Sequence, residues 1–409
     1  MIVFDLSRLL SRSRRGTPTG IDRVELAYAE HLIASGRPLC FTAVTAWGGL
    51  ALLPRPNADD YVSALGAVWR EAAASPSRRR QVQRLARRLR LGPLRLGPRP
   101  LHSQLPAAVD KPVYLLVSHH HLERRRLIGR LKRQSQASFI CLIHDLIPMA
   151  FPEYARPGQD LRHRRRIETV AALADAIIVG SEATRDDLQP HLERAGRAPT
   201  VLVSPFGVDL PKVPADGPPL PDAPYFVCVG TIEPRKNHLL LLNLWRRLAA
   251  ELGPQAPRLV LVGHRGWETG NAIDMLDRCR VLGGLVLERN QSPDTEMARL
   301  LKGARALLLP SFAEGFGFPM VEALGLGVPV LCSDLAALRE NGGDIPEYLD
   351  PLDGHGWRDA VIDYSWEVSP RREAQLNRLA AWKANDWTDH FAAVEELIDQ
   401  TAALTGRAE

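Results

Sequence analysis

Residues 304–334 read ARALLLPSFAEGFGFPMVEALGLGVPVLCSD. The stretch before Pro310 is an apolar run of strand length, and MVEALGLG after Pro319 suits a short helix. Proline near a helix's first position costs nothing, because the N–H it lacks would have no partner there. Glu314 therefore falls in a strand-to-helix loop, and Glu322, eight residues on, in the first turns of the helix. A helix start offers free N–H groups and a partial positive charge, so it attracts anions. Gly315 and Gly317 allow backbone to approach a ligand closely. The N–H groups around Met320 and Val321 are expected to point at a phosphate oxygen. A carboxylate beside a phosphate is repelled unless it holds something neutral. The vicinal hydroxyls of a ribose or pyranose fit, since an ionised carboxylate only accepts hydrogen bonds. A diphosphate with a polyol at each end, the shape of a nucleotide sugar, matches that spacing.

Outward from this stretch, short β-rich runs alternate with amphipathic segments. Strands are expected at IVFDL, LCFTAVT, VYLLVS, FICLIHD, AIIVGS and TVLVSP, then at YFVCVG, RLVLVG, LVLERN, ALLLP and VPVLCS. Helical patterns intervene, notably over 21–35 and 162–174. Such alternation implies α/β architecture, with parallel sheets covered by helices on both faces. Between the two sets, residues 206–224 hold six prolines and two glycines, the composition of a stiff linker. The expected organisation is an N-terminal Rossmann-like domain over 1–208, a linker over 209–224 and a C-terminal Rossmann-like domain over 225–385. The two domains are expected to face a cleft. Residues 386–409 form an amphipathic C-terminal helix.

The chain of 409 residues is long enough for two ordinary domains, and 45% hydrophobic with 24% charged residues is a globular composition. Its five cysteines, Cys40, Cys141, Cys228, Cys279 and Cys332, form no CxxC pair. An odd, scattered set reads as reduced thiols of a cytoplasmic protein. Asp5 interrupts the first apolar run, so the N-terminus lacks the order of a signal peptide. No apolar stretch reaches the roughly 18 residues that a membrane span requires.

The formal net charge of +5 is unevenly spread. A basic insertion at about 75–101 carries nine arginines, from Arg78 to Arg99, and no acid. Val82, Leu85, Leu89 and Leu91 give it an imperfect apolar face. It reads equally as a solvated surface helix or as an interfacial helix on an anionic membrane, which would place the protein peripherally on the inner face of the plasma membrane. Nucleic-acid binding is disfavoured, because no aromatic residue interleaves with the arginines to stack bases.

Chemistry-bearing residues gather at the ends of the expected strands. In VGTIEPRKNHLL, residues 229–240, a strand ends at Gly230 and Thr231, and Arg235 and Lys236 follow as adjacent cations. Arginine grips phosphate bidentately and lysine acts as a point charge, each bond contributing roughly 1.5–3 kcal/mol. The alternative is a surface pair beside a helix capped by Asn237. ICLIHDLIP puts His144 and Asp145 at the end of another strand. RGTPTGIDRVEL places Gly16 and Gly20 in a loop before a helix, with Arg23 on that helix. Ser181 reads as an N-cap. His119, His120 and His121 are adjacent and cannot readily converge on one ion, and neither a ligand set nor an Asp-x-Asp pattern accompanies them.

EGFGFPMVE resembles the paired-glutamate motif of retaining GT-B glycosyltransferases of family 4, and GTIEPRKN resembles their phosphate-binding loop. Together with HDLIP they look most like bacterial exopolysaccharide mannosyltransferases. The resemblance implies the GT-B fold, with the C-terminal helix crossing back to the N-terminal domain. It implies hexose transfer from a nucleoside-diphosphate sugar, GDP-mannose first, with UDP-sugars and dTDP-rhamnose as alternatives. The acceptor would be a lipid-linked or growing polysaccharide. Glu322 would hold the ribose. Glu314, Gly315, Phe316, Gly317 and Phe318 would contact the donor sugar, and Arg235 and Lys236 would neutralise the diphosphate. His144 and Asp145 would lie beside the sugar, with Gly20 near the diphosphate. No cofactor, metal or nucleic acid is expected. A non-catalytic binder, an epimerase and a phosphorylase are the rival readings.

Overall fold

The computed structural model describes residues 1–71, 75–95, 101–105, 111–214, 216–217, 219–290 and 292–406. It divides into two units. The first comprises Met1–Ala150, Gly158–Phe206 and Trp387–Glu409, and the second Phe151–Pro157 and Gly207–Asp386. Each is an α/β sheet whose crossovers contain helices, as the alternation of patterns predicts.

The first sheet contains β1 (Ile2–Asp5), β2 (Leu39–Val44), β3 (Leu50–Leu53), β4 (Val113–Leu116), β5 (Ser138–Ile143), β6 (Ala176–Val179) and β7 (Thr200–Val203). Their spatial order is β3-β2-β1-β4-β5-β6-β7. The strands β4, β5 and β6 are buried throughout, because helices cover both faces. Only β3 runs antiparallel, paired to β2 through a turn closed by Thr45 N–H donating to Gly49 C=O at 2.8 Å. The second sheet contains β8 (Tyr225–Val229), β9 (Arg258–Val262), β10 (Val286–Arg289), β11 (Leu307–Leu309), β12 (Val330–Ser333) and β13 (Glu347–Leu349). Its order is β10-β9-β8-β11-β12-β13, and all its pairings are parallel.

The helix Trp387–Gly406 belongs to the first unit. Phe391, Val394, Leu397 and Ile398 recur at helical spacing and are buried. Its His390 is buried too. Nδ1 lies 2.9 Å from the Ser204 hydroxyl and 3.1 Å from the Pro205 carbonyl, and Nε2 lies 2.8 Å from the Tyr28 hydroxyl. The seven residues Phe151–Pro157 group with the second unit although the chain on both sides belongs to the first. There the Tyr154 ring stacks on Phe312 at 5.2 Å, and Arg156 lies over Trp267 at 5.9 Å. The chain changes unit at Phe206/Gly207 and at Asp386/Trp387.

The arginine-rich segment forms the helix Pro76–Arg95, packed on the helix Arg55–Arg70. Val82, Ala86 and Leu89 are each 1% exposed. Much of the apolar stripe that would enter a bilayer is thus already covered by protein, although Leu85 is half-buried and Leu91 is 54% exposed. Arg79, Arg80, Arg84, Arg87 and Arg88 stay exposed on the other face. Arg99 lies outside the described residues.

One close approach fixes the second sheet beside the loop that carries Arg235. Gly263, after β9, has φ +155°, and a Cβ there would sit 2.0 Å from the Gly230 carbonyl oxygen. Backbone cannot yield to such an overlap. Gly263→Ala should cost the second unit about 2–4 kcal/mol by forcing β8 and β9 apart, read as a lower urea midpoint; an unchanged midpoint would show that the two loops are free to separate.

Candidate active site

In the second sheet β8 and β11 are neighbours, yet the chain leaves β8 toward β9 on one side and β11 toward β12 on the other. Crossovers diverge at such a switch point, and loops at the carboxyl ends open a crevice for ligands. Gly230 and Thr231 directly follow β8, and a 3-10 turn over Pro234–Lys236 follows them. Ser311 to Gly317 lie in the loop after β11. The two loops are tied by Phe312 N–H donating to Arg235 C=O at 2.9 Å.

Side chains complete the tie. Lys236 Nζ donates to Glu314 Oε1 at 2.5 Å, and Arg235 Nη1 to Glu314 Oε2 at 2.9 Å. Arg235 also bonds the Ala313 carbonyl at 2.7 Å and Glu233 Oε1 at 2.9 Å, and the Ser311 hydroxyl donates to Glu314 Oε1 at 2.6 Å. The Glu314 side chain is only 7% exposed, Lys236 10% and Arg235 20%. Burial alone would raise the carboxyl pKa, but Lys236 and then Arg235 outweigh it and hold the group at about 2. The two cations expected to stand ready for a diphosphate are therefore already neutralised, because a buried carboxylate needs partners. Glu233 and Ser311 belong to this cluster without having been singled out from the sequence. Each sits two or three residues from a charged group it supports.

The helix Phe318–Gly325 starts after Gly317, whose φ of +91° and close fit to Leu338 admit no side chain: a Cβ would meet Leu338 Cδ2 at 2.3 Å. The resulting tight turn corrects one expectation. Met320 N–H and Val321 N–H both donate to the Gly317 carbonyl, at 2.9 and 3.3 Å, so these amides are committed to the helix rather than aimed at a ligand. Glu322 lies on this helix and is 7% exposed. Phe316 is buried and its ring centroid is 4.8 Å from that of the half-buried Phe318. Asn341 Nδ2 donates to the Phe316 carbonyl at 3.1 Å and fixes the Gly315–Gly317 loop from below. Asn237 does not cap its helix; its amide bonds the Pro351 carbonyl at 3.0 Å, and its φ of +53° ends the preceding turn.

The first unit has its own switch point, between β1 and β4. Asp5, fully buried at the end of β1, accepts from the Tyr114 hydroxyl at 3.0 Å and from Ser7 N–H at 2.9 Å, with His121 Nε2 at 3.4 Å. Nearby Asp22 is bonded by Arg8 at 2.7 Å and Arg12 at 3.3 Å. His144 follows β5. Its Nε2 faces the Val117 carbonyl at 2.9 Å, so that nitrogen carries the proton and Nδ1 is left as an acceptor. Burial pushes its pKa down to about 3, which keeps the ring neutral. His144 N–H donates to His119 Nε2 at 3.1 Å, and His163 Nε2 meets the Asp145 carbonyl at 3.1 Å. His119 thus serves His144 while His121 serves Asp5. Among the described residues no His, Cys, Asp and Glu group of three or more is arranged to hold a metal ion.

Gly20 differs from expectation. It is the first residue of the helix Gly20–Ala34, not part of a free loop. Thr19 and Asp22 form a capping box there, with Thr19 N–H donating to Asp22 Oδ2 at 2.9 Å. Ser181 caps its helix as read, accepting from Thr184 N–H at 3.2 Å.

Solved structures share this two-unit α/β architecture. Sucrose-phosphate synthase from Thermosynechococcus elongatus is 15% identical with a TM-score of 0.61, covering 98% of this chain and 99% of that one. The α,α-trehalose 6-phosphate synthase from Burkholderia multivorans is 14% identical with a TM-score of 0.61, covering 100% and 98%. The fold is thus GT-B. Residues 223–363 match the family of glycosyl transferases group 1, and residues 117–191 match the N-terminal domain of glucosyltransferase 3-like proteins. O-antigen chain mannosyltransferase B from Escherichia coli is 30% identical over 256 residues, 61% of this chain and 66% of that protein. The serotype-specific mannosyltransferase WbdA from Escherichia coli is 28% identical over 271 residues, 61% of this chain and 33% of that protein. The match therefore spans just under two thirds of the first relative and a third of the second. Residues 223–363 thus carry the group 1 glycosyl transferase match on a GT-B fold, and the chain resembles the mannosyltransferases of that group.

Glu314→Gln leaves the poorly exposed Lys236 without its counter-charge and Arg235 with Glu233 alone, and should destabilise the second unit by about 3 kcal/mol at pH 7. Because the folded carboxyl pKa is depressed to about 2, its contribution is fully present above the unfolded value near 4.5 and is lost as pH falls toward 2. Urea titrations should show the gap between native and variant protein narrowing over that window. A gap that stays constant with pH would mean that the carboxylate's charge does not matter.

Proposed function

We propose that the chain transfers a hexose from a nucleoside-diphosphate sugar, GDP-mannose first, to a lipid-linked or growing polysaccharide, with retention at the anomeric carbon. The observation that carries this reading is the buried Arg235–Lys236–Glu314 cluster at the switch point of the group 1 domain. On binding, the diphosphate takes Lys236 and Arg235 from Glu314. The freed carboxylate then accepts hydrogen bonds from the sugar, and Glu322 accepts them from the ribose. The two cations offset the charge that builds on the leaving diphosphate, so the chemistry needs no metal. His144, neutral and protonated on Nε2, offers Nδ1 as an acceptor for a hydrogen bond from a hydroxyl group. The departing phosphate removes the proton from the attacking acceptor hydroxyl. The mannosyltransferase relatives support mannose as the sugar. The exposed arginines of the helix Pro76–Arg95 support an acceptor presented at an anionic surface, held by charge without insertion.

Thermal-shift measurements with GDP, UDP and dTDP test the donor directly, since a ligand that binds only the native state raises its melting temperature. GDP should give the largest shift. Lys236→Ala should then lower kcat/KM for GDP-mannose by about 10–150-fold, the loss of one charged hydrogen bond. Equal turnover in native and variant protein would contradict the assignment, and a larger shift with UDP or dTDP would move the donor to that nucleotide.

A further inference from the structure

A second concentration of positive charge lies in the first unit, apart from the residues clustered around His144 and Asp5. A cavity of about 470 Å³, open to the surface, is walled by Arg125, Arg164, Arg194, Arg197, His191 and Glu168. Three helices and a connection build it. Arg125 begins the helix Arg125–Ser135, Arg164 and Glu168 lie on Gln159–Leu173, and His191 and Arg194 are in the last turn of Glu182–Arg194. Arg197 follows on the way to β7. Small residues, Ala171, Ala172 and Ala195, leave the space between them.

The charges of this region are balanced elsewhere but not here. On the helix Gln159–Leu173, Arg162 and Arg166 share Glu123, at 2.6 and 3.3 Å. Arg197 is held by the Ala172 carbonyl at 2.7 Å, with Asp175 at 3.7 Å. Arg125, Arg164 and Arg194 form no ion pair among the described residues. Four guanidinium groups thus surround one lining carboxylate, Glu168. Burial lowers the pKa of His191, and Arg194 and Arg164 lower it further against the smaller opposing pull of Asp187 and Glu168.

Helix electrostatics do not account for this set. Arg194 and His191 suit the negative end of their helix, but Arg125 sits at the positive end of its own, where no acidic residue occupies the first turn. A cation there opposes the local field, and such departures from local preference mark sites kept for another reason. Arginine forks on three different elements match a group that offers oxygens in several directions, which two linked phosphates do and a single carboxylate does not.

We propose that this cavity binds a diphosphate group. Two sources carry that chemistry: a nucleoside diphosphate and a lipid-linked diphosphate. The choice of source, though not the binding, rests on the glycosyl-transfer reading.

The test is calorimetric titration of the full chain with inorganic pyrophosphate. Native protein should bind two equivalents, one at the Arg235–Lys236 cluster and one here. Arg164→Ala combined with Arg194→Ala should weaken one class of site at least tenfold and leave the other. Lys236→Ala should do the converse. A native stoichiometry of one that Arg164→Ala/Arg194→Ala abolishes would sink the donor-site reading and keep this one. Stoichiometry and affinity that the double variant leaves unchanged would overturn it. Arg125→Ala, at an exposed position, gives an independent check should the double variant unfold; it too must weaken pyrophosphate. Competition by GDP and by farnesyl diphosphate then separates the sources, and displacement by either supports the proposal. Failure of both to displace pyrophosphate from this site would limit it to an inorganic ion and contradict it.

Discussion

A buried carboxylate held by two cations governs the second unit. Glu314 is nearly inaccessible, and isolated there it would give up its charge rather than bear the desolvation. Lys236 and Arg235 reverse that balance. The interaction joins the loop after β8 to the loop after β11, the two strands between which the crossovers diverge. Its geometry is fixed from several sides: Gly263 packs against the Gly230 backbone, the Phe312 amide reaches the Arg235 carbonyl, and Ser311 supports Glu314 from within its own loop. The charges of the cluster thus cancel within the free protein. In the proposed reaction the same atoms that stabilise the free protein become the ligands of the diphosphate and the sugar. This links stability to binding through one set of contacts.

The first unit repeats the architecture with different content. At its switch point Tyr114 and His121 surround Asp5, with Arg8 and Arg12 engaged by Asp22. Burial keeps His144 neutral, so it offers an acceptor and not a charge. The two switch points thus differ in content: that of the second unit holds the ion-paired Arg235, Lys236 and Glu314, and that of the first holds Asp5 with Tyr114 and His121.

The strands of both sheets were readable because buried parallel strands are continuous apolar runs. The two that escaped are short edges. β3 is LALL behind a glycine turn, and β13 is EYL, three residues with a charge at the start. Arg235, Lys236 and Glu314 were readable as a constellation, but their mutual pairing was not, since spacing along the chain says nothing about which charges meet across a sheet. The Gly317 turn consumed the Met320 and Val321 amides, a local geometry that composition does not specify. Gly20 opens its helix through a capping box, Thr19 with Asp22, that stands in the sequence, whereas the neighbouring Gly16 and Pro18 make the stretch read as loop. The arginine-rich helix showed its apolar spacing plainly, yet only the fold reveals that another helix covers that face.

The central claim, that Glu314 competes with a diphosphate for Lys236 and Arg235, is tested most directly by a double-mutant cycle on nucleoside-diphosphate affinity. Glu314→Gln should tighten binding of the free nucleoside diphosphate in protein that retains Lys236, and that gain should shrink in the Lys236→Ala background. Weaker binding in Glu314→Gln, or effects of the two substitutions that simply add, would contradict the account.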